Sequence, residues 1–256
     1  MLVDVSLQSG LPLKVDTENL QLILTEGVIS EEVDIRTLGQ MKEVILSEND
    51  EEQRRLYYMY RDVHFIADED RIKNRGLRYD ITIIPPGKIG KEYIKTAGHY
   101  HPLKPGTDLT YPEIYQIIMG EAHYLLQKKK PSSDEVERVV VVKAKEGDIV
   151  YIPPGYGHIT INPYQETLVM ANWVASEFKS DYGPIMRKRG GAFYEVEENH
   201  KPKWLPNIAY QHNLVLEEID YQESPQFKFN FDKPLYKAIY EEEELLAVLV
   251  NPQITK

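Results

Sequence analysis

Two histidines separated by one residue, His99 and His101, are the first group in this sequence whose types and spacing suggest chemistry. Residues i and i+2 of a strand point to the same face, so both imidazoles could reach one cation. Two inward imidazoles without a shared partner would be unfavourable to bury. Taken alone, the pair indicates a metal site about as strongly as it indicates a structural role.

Glu113 is the next acidic residue that opens a strand-like run. Alternation places Tyr115 and Ile117 on the same face as Glu113. A carboxylate between apolar neighbours is unfavourable unless it is paired or bound to a cation. Glu113 is therefore a candidate ligand, although by itself a position at the rim of the turn after Pro112 is the simpler explanation.

The segment from Gly147 to Asn162 predicts a strand, a rigid Pro-Pro-Gly turn and a second strand with His158 at its start. It contains Gly, five residues, Pro-x-Gly, two residues, His, three residues and Asn. This pattern resembles the second motif of the cupin superfamily, and every defined position matches.

The first cupin motif ends in His-x-His, a short gap, Glu, six residues and Gly. Here His99 and His101 are followed by Glu113, and Gly120 completes the pattern. The gap of eleven residues, Pro102–Pro112, is longer than in most cupins. Such an expansion is tolerated if both ends stay in their strands.

The resemblance implies an all-β cupin fold, that is, a double-stranded β-helix or jelly-roll barrel. It also implies one divalent metal per chain, with the ligands His99, His101, Glu113 and His158. Three imidazoles and one carboxylate suit Fe, Mn, Ni, Co or Zn better than Mg or Ca, and we expect Fe. Four protein ligands leave positions for substrate or water, which is typical of a catalytic site.

The middle of the chain consists of short strand-like runs separated by Gly/Pro turns, which favours a β-sandwich or barrel. The predicted strands are Tyr79–Ile84, Glu113–Met119, Glu121–Gln127, Arg138–Lys143, Ile149–Ile152, His158–Ile161 and Leu168–Trp173. We predict a single domain with an N-terminal extension (1–78) packed on the barrel, the cupin barrel with the metal site (79–195) and a C-terminal extension (196–256). Both extensions are expected to contain some helix.

The flanking regions give weaker patterns. In the N-terminal region, Asp34–Leu46 has helical spacing, and Glu51–Tyr60 is expected to continue into a strand. The charged run Asp68–Arg78 is predicted to be a loop or a solvated turn. Tyr210–Tyr221 fits a strand or a helix.

Ala238–Val250 fits a helix, or a strand preceded by an acidic turn. The run Glu241–Glu244 is interpreted as a solvated face.

Composition narrows the possible partners of the chain. The 256 residues carry a formal net charge of −11, which argues against non-specific nucleic-acid binding because that needs a Lys/Arg surplus. The chain has no cysteine, so it uses neither disulfides nor thiolate ligands. No signal peptide or apolar membrane span is recognisable, and we expect a cytoplasmic protein.

A narrower resemblance is carried by the residues around the motifs. Pro86–Tyr93, Thr96–His101, Glu113–Tyr115 and Asp181–Gly183 are similar to the cupin-type glucose-6-phosphate isomerases of archaea and some bacteria. The similarity covers about residues 33 to 195. It implies an isomerase of glycolysis and gluconeogenesis that interconverts glucose 6-phosphate and fructose 6-phosphate.

The same resemblance implies roles for individual residues. The substrate phosphate would be held by hydroxyl and backbone NH groups of Tyr57, Thr82, Thr96 and Gly98. Tyr115 and Tyr182 are candidate donors to the sugar. Glu113 is the natural base for a cis-enediol route, which we favour over a hydride shift, although a carboxylate bound to a cation is a weaker base than a free one.

Other hypotheses are compatible with a three-His, one-Glu site. The first is a cupin dioxygenase, which would need Fe or Cu redox chemistry. The second is a cupin that binds a sugar phosphate without turnover, and the third is isomerisation of another phosphosugar such as mannose 6-phosphate. We also expect a homodimer, because an exposed sheet edge invites pairing.

Overall fold

The computed structural model describes residues 1–46, 51–130, 133–241 and 243–253. These residues form mainly short strands. In chain order they are β1 (Leu2–Asp4), β2 (Leu13–Asp16), β3 (Gln21–Leu24), β4 (Val28–Ile29), β5 (Glu32–Thr37), β6 (Arg55–Arg61), β7 (His64–Phe65), β8 (Leu77–Ile84), β9 (Lys88–Ile89), β10 (Glu92–Tyr93), β11 (Glu113–Met119), β12 (Glu121–Lys129), β13 (Val136–Lys145), β14 (Ile149–Ile152), β15 (Tyr156–Ile161), β16 (Leu168–Ala175), β17 (Phe193–Glu198), β18 (Lys201–Pro206) and β19 (Leu216–Asp220).

The helices of the described residues are short and lie mostly near the ends of the chain. They are α1 (Ser6–Ser9), α2 (Leu38–Met41), α3 (Glu69–Asn74), α4 (Gly183–Arg187), α5 (Ala238–Glu241) and α6 (Glu243–Val250). Single turns of 3₁₀-helix occupy Lys42–Val44, Ile66–Asp68, Tyr221–Glu223 and Leu235–Lys237. Among the described parts of the chain, we find no helix with the length and apolar composition that a membrane crossing requires.

Two sheets form the barrel. One has six strands in the order β14-β11-β16-β8-β6-β5, and the other has four in the order β15-β12-β13-β19. The ring centroids of Tyr115 in β11 and Tyr124 in β12 are 5.5 Å apart, so the inner faces of the two sheets pack on each other. The all-β cupin fold predicted from the sequence is confirmed.

The six-stranded sheet is buried on both faces, which is why its strands contain almost continuous apolar runs. On its outer face, Tyr79 and Trp173 pack against side chains from both ends of the chain, including Leu13 and Tyr236. The indole nitrogen of Trp173 donates to the carbonyl of Leu235 at 3.0 Å. The terminal segments therefore cover this face, while the inner face is left for the cavity.

All seven strands predicted for the middle of the chain are present, two with the predicted bounds and five extended by one or more residues. The predicted division at residues 78 and 195 stays a prediction. Strands β5 and β6 of the N-terminal region pair with each other, and β6 pairs with β8 of the barrel sheet. The strand expected after Glu51 is β6.

Two predictions for the N-terminal region were wrong. Asp34–Leu46 is not a single helix, because its first four residues belong to β5 and pair with β6, and helix begins only at Leu38. Asp68–Arg78 is not a loop, because it contains α3 and the start of β8. Burial of Ile72 and the Glu69–Lys73 ion pair at 2.6 Å stabilise α3.

The structure also decides the two ambiguous C-terminal segments. Tyr210–Tyr221 contains a strand, β19, which pairs in parallel with β13. Ala238–Val250 is helical, as α5 and α6. Glu241 and Glu244 are exposed, as expected for a solvated face, whereas residue 242 lies outside the described residues.

Candidate metal centre

Backbone pairing brings the two histidine motifs together. His99 and His158 form an isolated antiparallel bridge, in which the NH of each donates to the carbonyl of the other at 3.3 and 3.1 Å. The backbone positions that carry the two imidazole rings are therefore neighbours across the bridge, and the ring centroids are 4.4 Å apart. His101, two residues further along the same segment, adds the third ring.

The side chains of His99, His101, Glu113 and His158 converge on one point. Each offers a ligand atom, and all four atoms lie within 4.8 Å of one another. The Nε2 atoms of His99 and His101 are 3.2 Å apart. Oε2 of Glu113 lies 3.1 Å from Nε2 of His158 and 3.3 Å from Nε2 of His101.

Two hydrogen bonds orient the members of this His/Glu cluster. Nδ1 of His101 lies 2.8 Å from the carbonyl oxygen of Tyr111. Because a carbonyl only accepts, Nδ1 must donate, and Nε2 of the neutral ring is left with its lone pair. Asn172 Nδ2 donates to Oε1 of Glu113 at 2.7 Å, which directs Oε2 toward the three rings.

The protonation states of the cluster suit a cation. Burial, followed by the neighbouring rings of His158 and His101, lowers the pKa of His99 well below its usual range, and burial also lowers the pKa of His158. Burial alone would raise the pKa of Glu113, but its close contacts with the imidazoles of His101 and His158 outweigh that effect and hold the pKa well below its usual range. At neutral pH the cluster thus contains neutral His99 and His158 and an ionised Glu113.

The donor set fits a transition metal. Oε2 of Glu113 is buried and accepts no hydrogen bond that meets normal geometry from the described residues. When the His101 ring is neutral, its Nε2 presents a lone pair toward this oxygen, and a cation between the two atoms would stabilise the buried contact. Imidazole nitrogens and a carboxylate are ligands that bind first-row transition metals, and this His/Glu cluster could therefore bind a metal.

The cluster lies in a cavity of about 830 Å³ between the sheets. The cavity is lined by every residue that the sequence singled out for substrate binding or catalysis, namely Tyr57, Thr82, Thr96, Gly98, Glu113, Tyr115 and Tyr182. The hydroxyl of Tyr115 is 3.2 Å from Nε2 of His158. Residues that are far apart in the sequence therefore line the same cavity.

Four of these residues present hydrogen-bond donors that have no acceptor among the described residues. The hydroxyl of Tyr57 accepts from the NH of Ala97 at 3.1 Å, and Oγ1 of Thr96 accepts from the NH of Thr160 at 2.9 Å, so both hydroxyl protons are free to donate. Thr82 and Gly98 line the same cavity, and neither the hydroxyl of Thr82 nor the backbone NH of Gly98 has a hydrogen-bond acceptor among the described residues. We call Tyr57, Thr82, Thr96 and Gly98 the four-donor set.

Glycine is required at position 98. Its φ of +75° lies in the left-handed region that favours glycine. A Cβ there would also stand 2.3 Å from Cγ1 of Ile159, which is too close for any side chain. The turn leads directly into His99, so the local backbone that exposes the Gly98 NH also aims the first histidine.

The expanded loop between the histidines and Glu113 packs beside the centre. The ring of Phe178 stacks on Tyr111 and lies 4.5 Å, centroid to centroid, from the ring of His101. Lys104 forms an ion pair with Glu177 at 2.8 Å, as expected for a loop lysine on the surface.

The remaining histidines lie outside the cluster. His64 and His123 are buried, and their Nδ1 atoms lie 2.8 Å from the carbonyl of Asp62 and from the carboxylate of Glu195, respectively. His200 and His212 are exposed. Sequence patterns did not single out Asn172 or Phe178. Only the register of β16 against β11, which pairs Asn172 with Tyr115, could have indicated Asn172.

Comparisons with known proteins agree with this site. The family model for glucose-6-phosphate isomerase matches residues 35–211. The chain is 30% identical over 179 residues to the glucose-6-phosphate isomerase of Pyrococcus abyssi, covering 69% of this chain and 87% of that protein. It is 32% identical over 144 residues to the enzyme of the same name from Thermococcus litoralis, covering 54% of this chain and 70% of that protein.

Among solved structures, one of Bacillus subtilis oxalate decarboxylase is similar, with a TM-score of 0.36, 14% identity and coverage of 62% of this chain and 33% of that chain. The family match extends over more than half of the chain and includes all four members of the His/Glu cluster. The chain therefore belongs to the glucose-6-phosphate isomerase family, in its cupin-type branch.

Proposed function

We propose that this chain is a metal-dependent aldose–ketose isomerase that interconverts glucose 6-phosphate and fructose 6-phosphate. The observation that supports the proposal most is that the His/Glu cluster and the four-donor set open into one cavity. The His/Glu cluster is suited to a cation, and the four-donor set is suited to an anion. The two relatives described above carry the name of this activity.

The metal ligands in this proposal are His99, His101, Glu113 and His158. We propose Fe as the metal, with Mn, Ni, Co and Zn as alternatives that suit the same ligands. A bound divalent metal would polarise the carbonyl oxygen of the sugar as a Lewis acid.

The four-donor set is proposed to hold the substrate phosphate. Hydroxyl and backbone NH groups are good donors to phosphate oxygens. A positive charge supports them, since the guanidinium of Arg36 lies 5.6 Å from the centre of the Tyr182 ring. Burial raises the pKa of Tyr57, and the charge of Arg36 offsets part of that rise. Binding energy from the phosphate would then position the reacting carbons at the other end of the cavity.

Glu113 is proposed to move the proton between C1 and C2 through a cis-enediol. Its low pKa keeps the carboxylate ionised at neutral pH, so it is ready to accept a proton. The bond from Asn172 fixes Oε1 and leaves Oε2 directed toward the imidazoles of His101 and His158. Asn172 therefore holds the base in place without itself contacting the reacting carbons.

Tyr115 is proposed to donate a hydrogen bond to the sugar oxygens. Burial and the charge of Glu113 raise its pKa well above the usual range, so the hydroxyl keeps its proton. Tyr182, whose ring centroid is 5.3 Å from that of His99, is proposed to contact the sugar hydroxyls. The enzyme would act in glycolysis and gluconeogenesis in the cytoplasm, and we propose a homodimer.

The proposal is tested by a coupled assay in which glucose 6-phosphate formed from fructose 6-phosphate is oxidised by an NADP-dependent dehydrogenase. The purified protein is assayed as isolated, after EDTA treatment, and after addition of each candidate metal under anaerobic conditions. Turnover that is lost on chelation and regained without oxygen supports a metal-dependent isomerase. A protein that retains its metal but turns over neither hexose phosphate would contradict the proposal.

Isomerisation in D₂O tests the proton route. Fructose 6-phosphate converted by the enzyme should give glucose 6-phosphate with deuterium at C2, because the proton held on Glu113 exchanges with solvent. The product is measured by NMR, with glucose 6-phosphate kept in D₂O without enzyme as the control. Complete absence of C2 deuterium would show that hydrogen moves directly between the two carbons.

Thr82→Val tests the phosphate end of the cavity. Loss of one hydrogen bond to a charged group should raise the KM for fructose 6-phosphate by about tenfold, with little change in kcat. Thr167→Val is the matched control, since Thr167 is similarly buried at 7% exposure against 5% for Thr82 but does not line the cavity. An equal rise in KM in both variants would argue against phosphate binding by Thr82.

A further inference from the structure

A polar network on the cavity wall takes no part in the mechanism above. Asp80 is fully buried, and its two carboxylate oxygens accept four hydrogen bonds from three donor groups. Arg61 Nη1 donates at 2.7 Å, Arg78 Nε donates at 2.9 and 3.0 Å, and the backbone NH of Asp62 donates at 3.0 Å. One carboxylate thus fixes two guanidinium groups, and all of these residues line the cavity.

The strand register places this network beside the reacting end of the cavity. Arg78, Asp80 and Thr82 alternate along the inner face of β8. Through β16, Arg78 is level with Glu113 and Asp80 is level with Tyr115. The network therefore lies along the stretch of wall that joins the His/Glu cluster to Thr82 of the four-donor set.

The network offers hydrogen-bond donors to the cavity. Arg78 uses only Nε for its bonds to Asp80, and its two terminal nitrogens make no hydrogen bond to any described residue. A ligand group that accepts hydrogen bonds would satisfy these two nitrogens.

Charge indicates that this ligand group is neutral. Apart from histidines, six carboxylates and three basic side chains line the cavity. The carboxylates are those of Glu31, Glu32, Asp34, Asp62, Asp80 and Glu113, and the basic side chains are those of Arg61, Arg78 and Lys179. A second anion would be repelled by this surplus. A sugar hydroxyl is neutral, accepts from a guanidinium and donates to a carboxylate, so it matches the wall.

We propose that Arg78 binds the hydroxyl groups on C3 and C4 of the hexose phosphate, with Arg61 and Asp80 fixing its position. This inference rests on the proposed function. It makes Arg78 a substrate-binding residue that selects sugars by the hydroxyls in the middle of their chain.

The test is a calorimetric titration of the metal-loaded protein with glucitol 6-phosphate and its 3-deoxy and 4-deoxy derivatives, which have no carbonyl and do not turn over. Arg78→Gln should weaken glucitol 6-phosphate binding by about 10- to 100-fold, the loss expected for hydrogen bonds to a charged group. For a derivative that lacks a contacted hydroxyl, wild type and variant should differ much less. This ligand–variant cycle isolates the contact itself.

Arg138→Gln is the matched control. Arg138 also lies in a barrel strand and binds a carboxylate, that of Glu217, and its side chain is 35% exposed against 33% for Arg78, but it does not line the cavity. Its substitution should leave all three affinities within about twofold of wild type. Arg78→Lys keeps the charge and a donor to Asp80, and it replaces Arg78→Gln in the titration if that variant does not fold. Its loss of affinity should depend on the C3 and C4 hydroxyls in the same way.

An equal loss of affinity for all three ligands in the Arg78 variants would overturn the inference, as would wild-type protein that binds none of them. The proposed function fails separately, when wild-type protein does not turn over fructose 6-phosphate. Turnover without the hydroxyl dependence refutes only the role of Arg78. Hydroxyl-dependent binding without turnover refutes only the isomerase.

Discussion

Replacement of His158 by Ala is expected to lower kcat/KM for fructose 6-phosphate by about a thousandfold or more, because a metal centre that loses a ligand loses most of its Lewis-acid stabilisation. His158 is held by paired backbone hydrogen bonds to His99, and its Nε2 is 3.1 Å from Oε2 of Glu113. The variant should also bind less metal. Both effects are measured together, by the coupled assay and by the metal content per chain after dialysis.

His123→Ala is the control for this variant. His123 is a buried histidine of the same barrel, 5% exposed against 2% for His158, but its partner is Glu195 and it lies outside the cluster. It should lose stability while it keeps its metal. EDTA-treated wild-type protein should regain its activity when metal is added back, whereas the His158→Ala variant should not. A His158 variant with full metal content and near-normal turnover would show that the cluster is not the metal site.

Glu113→Gln is expected to reduce kcat by about 10²- to 10⁴-fold, the range typical of a lost general base. The amide keeps the shape of the side chain and an oxygen that can accept from Asn172. It loses the negative charge that faces the three imidazoles. Single-turnover rates are compared in samples of equal metal content, because the substitution also removes a ligand.

Glu195→Gln provides the comparison for this second substitution. Glu195 is another buried carboxylate that contacts a histidine, but it does not line the cavity. Its substitution should leave kcat within about twofold of wild type. If fully metallated Glu113→Gln protein retained more than about a tenth of the wild-type kcat, Glu113 would not be the base, and Tyr115 would become the candidate for proton transfer.

Much of the barrel could be predicted because its strands are short apolar runs with Gly/Pro turns between them. Glu113–Met119 and Ile149–Ile152 have the predicted bounds. The resemblance of the two histidine motifs to those of cupins predicted His99, His101, Glu113 and His158 as one ligand set, and these side chains do converge. Such motifs can be recognised in a sequence because a metal site requires particular ligand types at positions that the strands bring together.

The flanking regions were harder to predict for a physical reason. The segment Asp34–Thr37 has residues that fit a helix, yet it extends the six-stranded sheet because β6 offers it a full set of backbone partners. Local propensity is a weak preference that tertiary pairing overrides. The same holds for β19, which is fixed by its parallel pairing with β13.

By itself, the sequence determined the ligand types and the strand-forming core, because each depends on local spacing and on side-chain chemistry. Only the tertiary structure decided that Asn172 orients Glu113 and that Asp80 fixes Arg61 and Arg78 on the cavity wall. The contacts of Asn172 with Glu113 and of Asp80 with Arg61 join neighbouring strands through their register across a sheet. A register is set by the packing of all the strands at once, and no single segment encodes it.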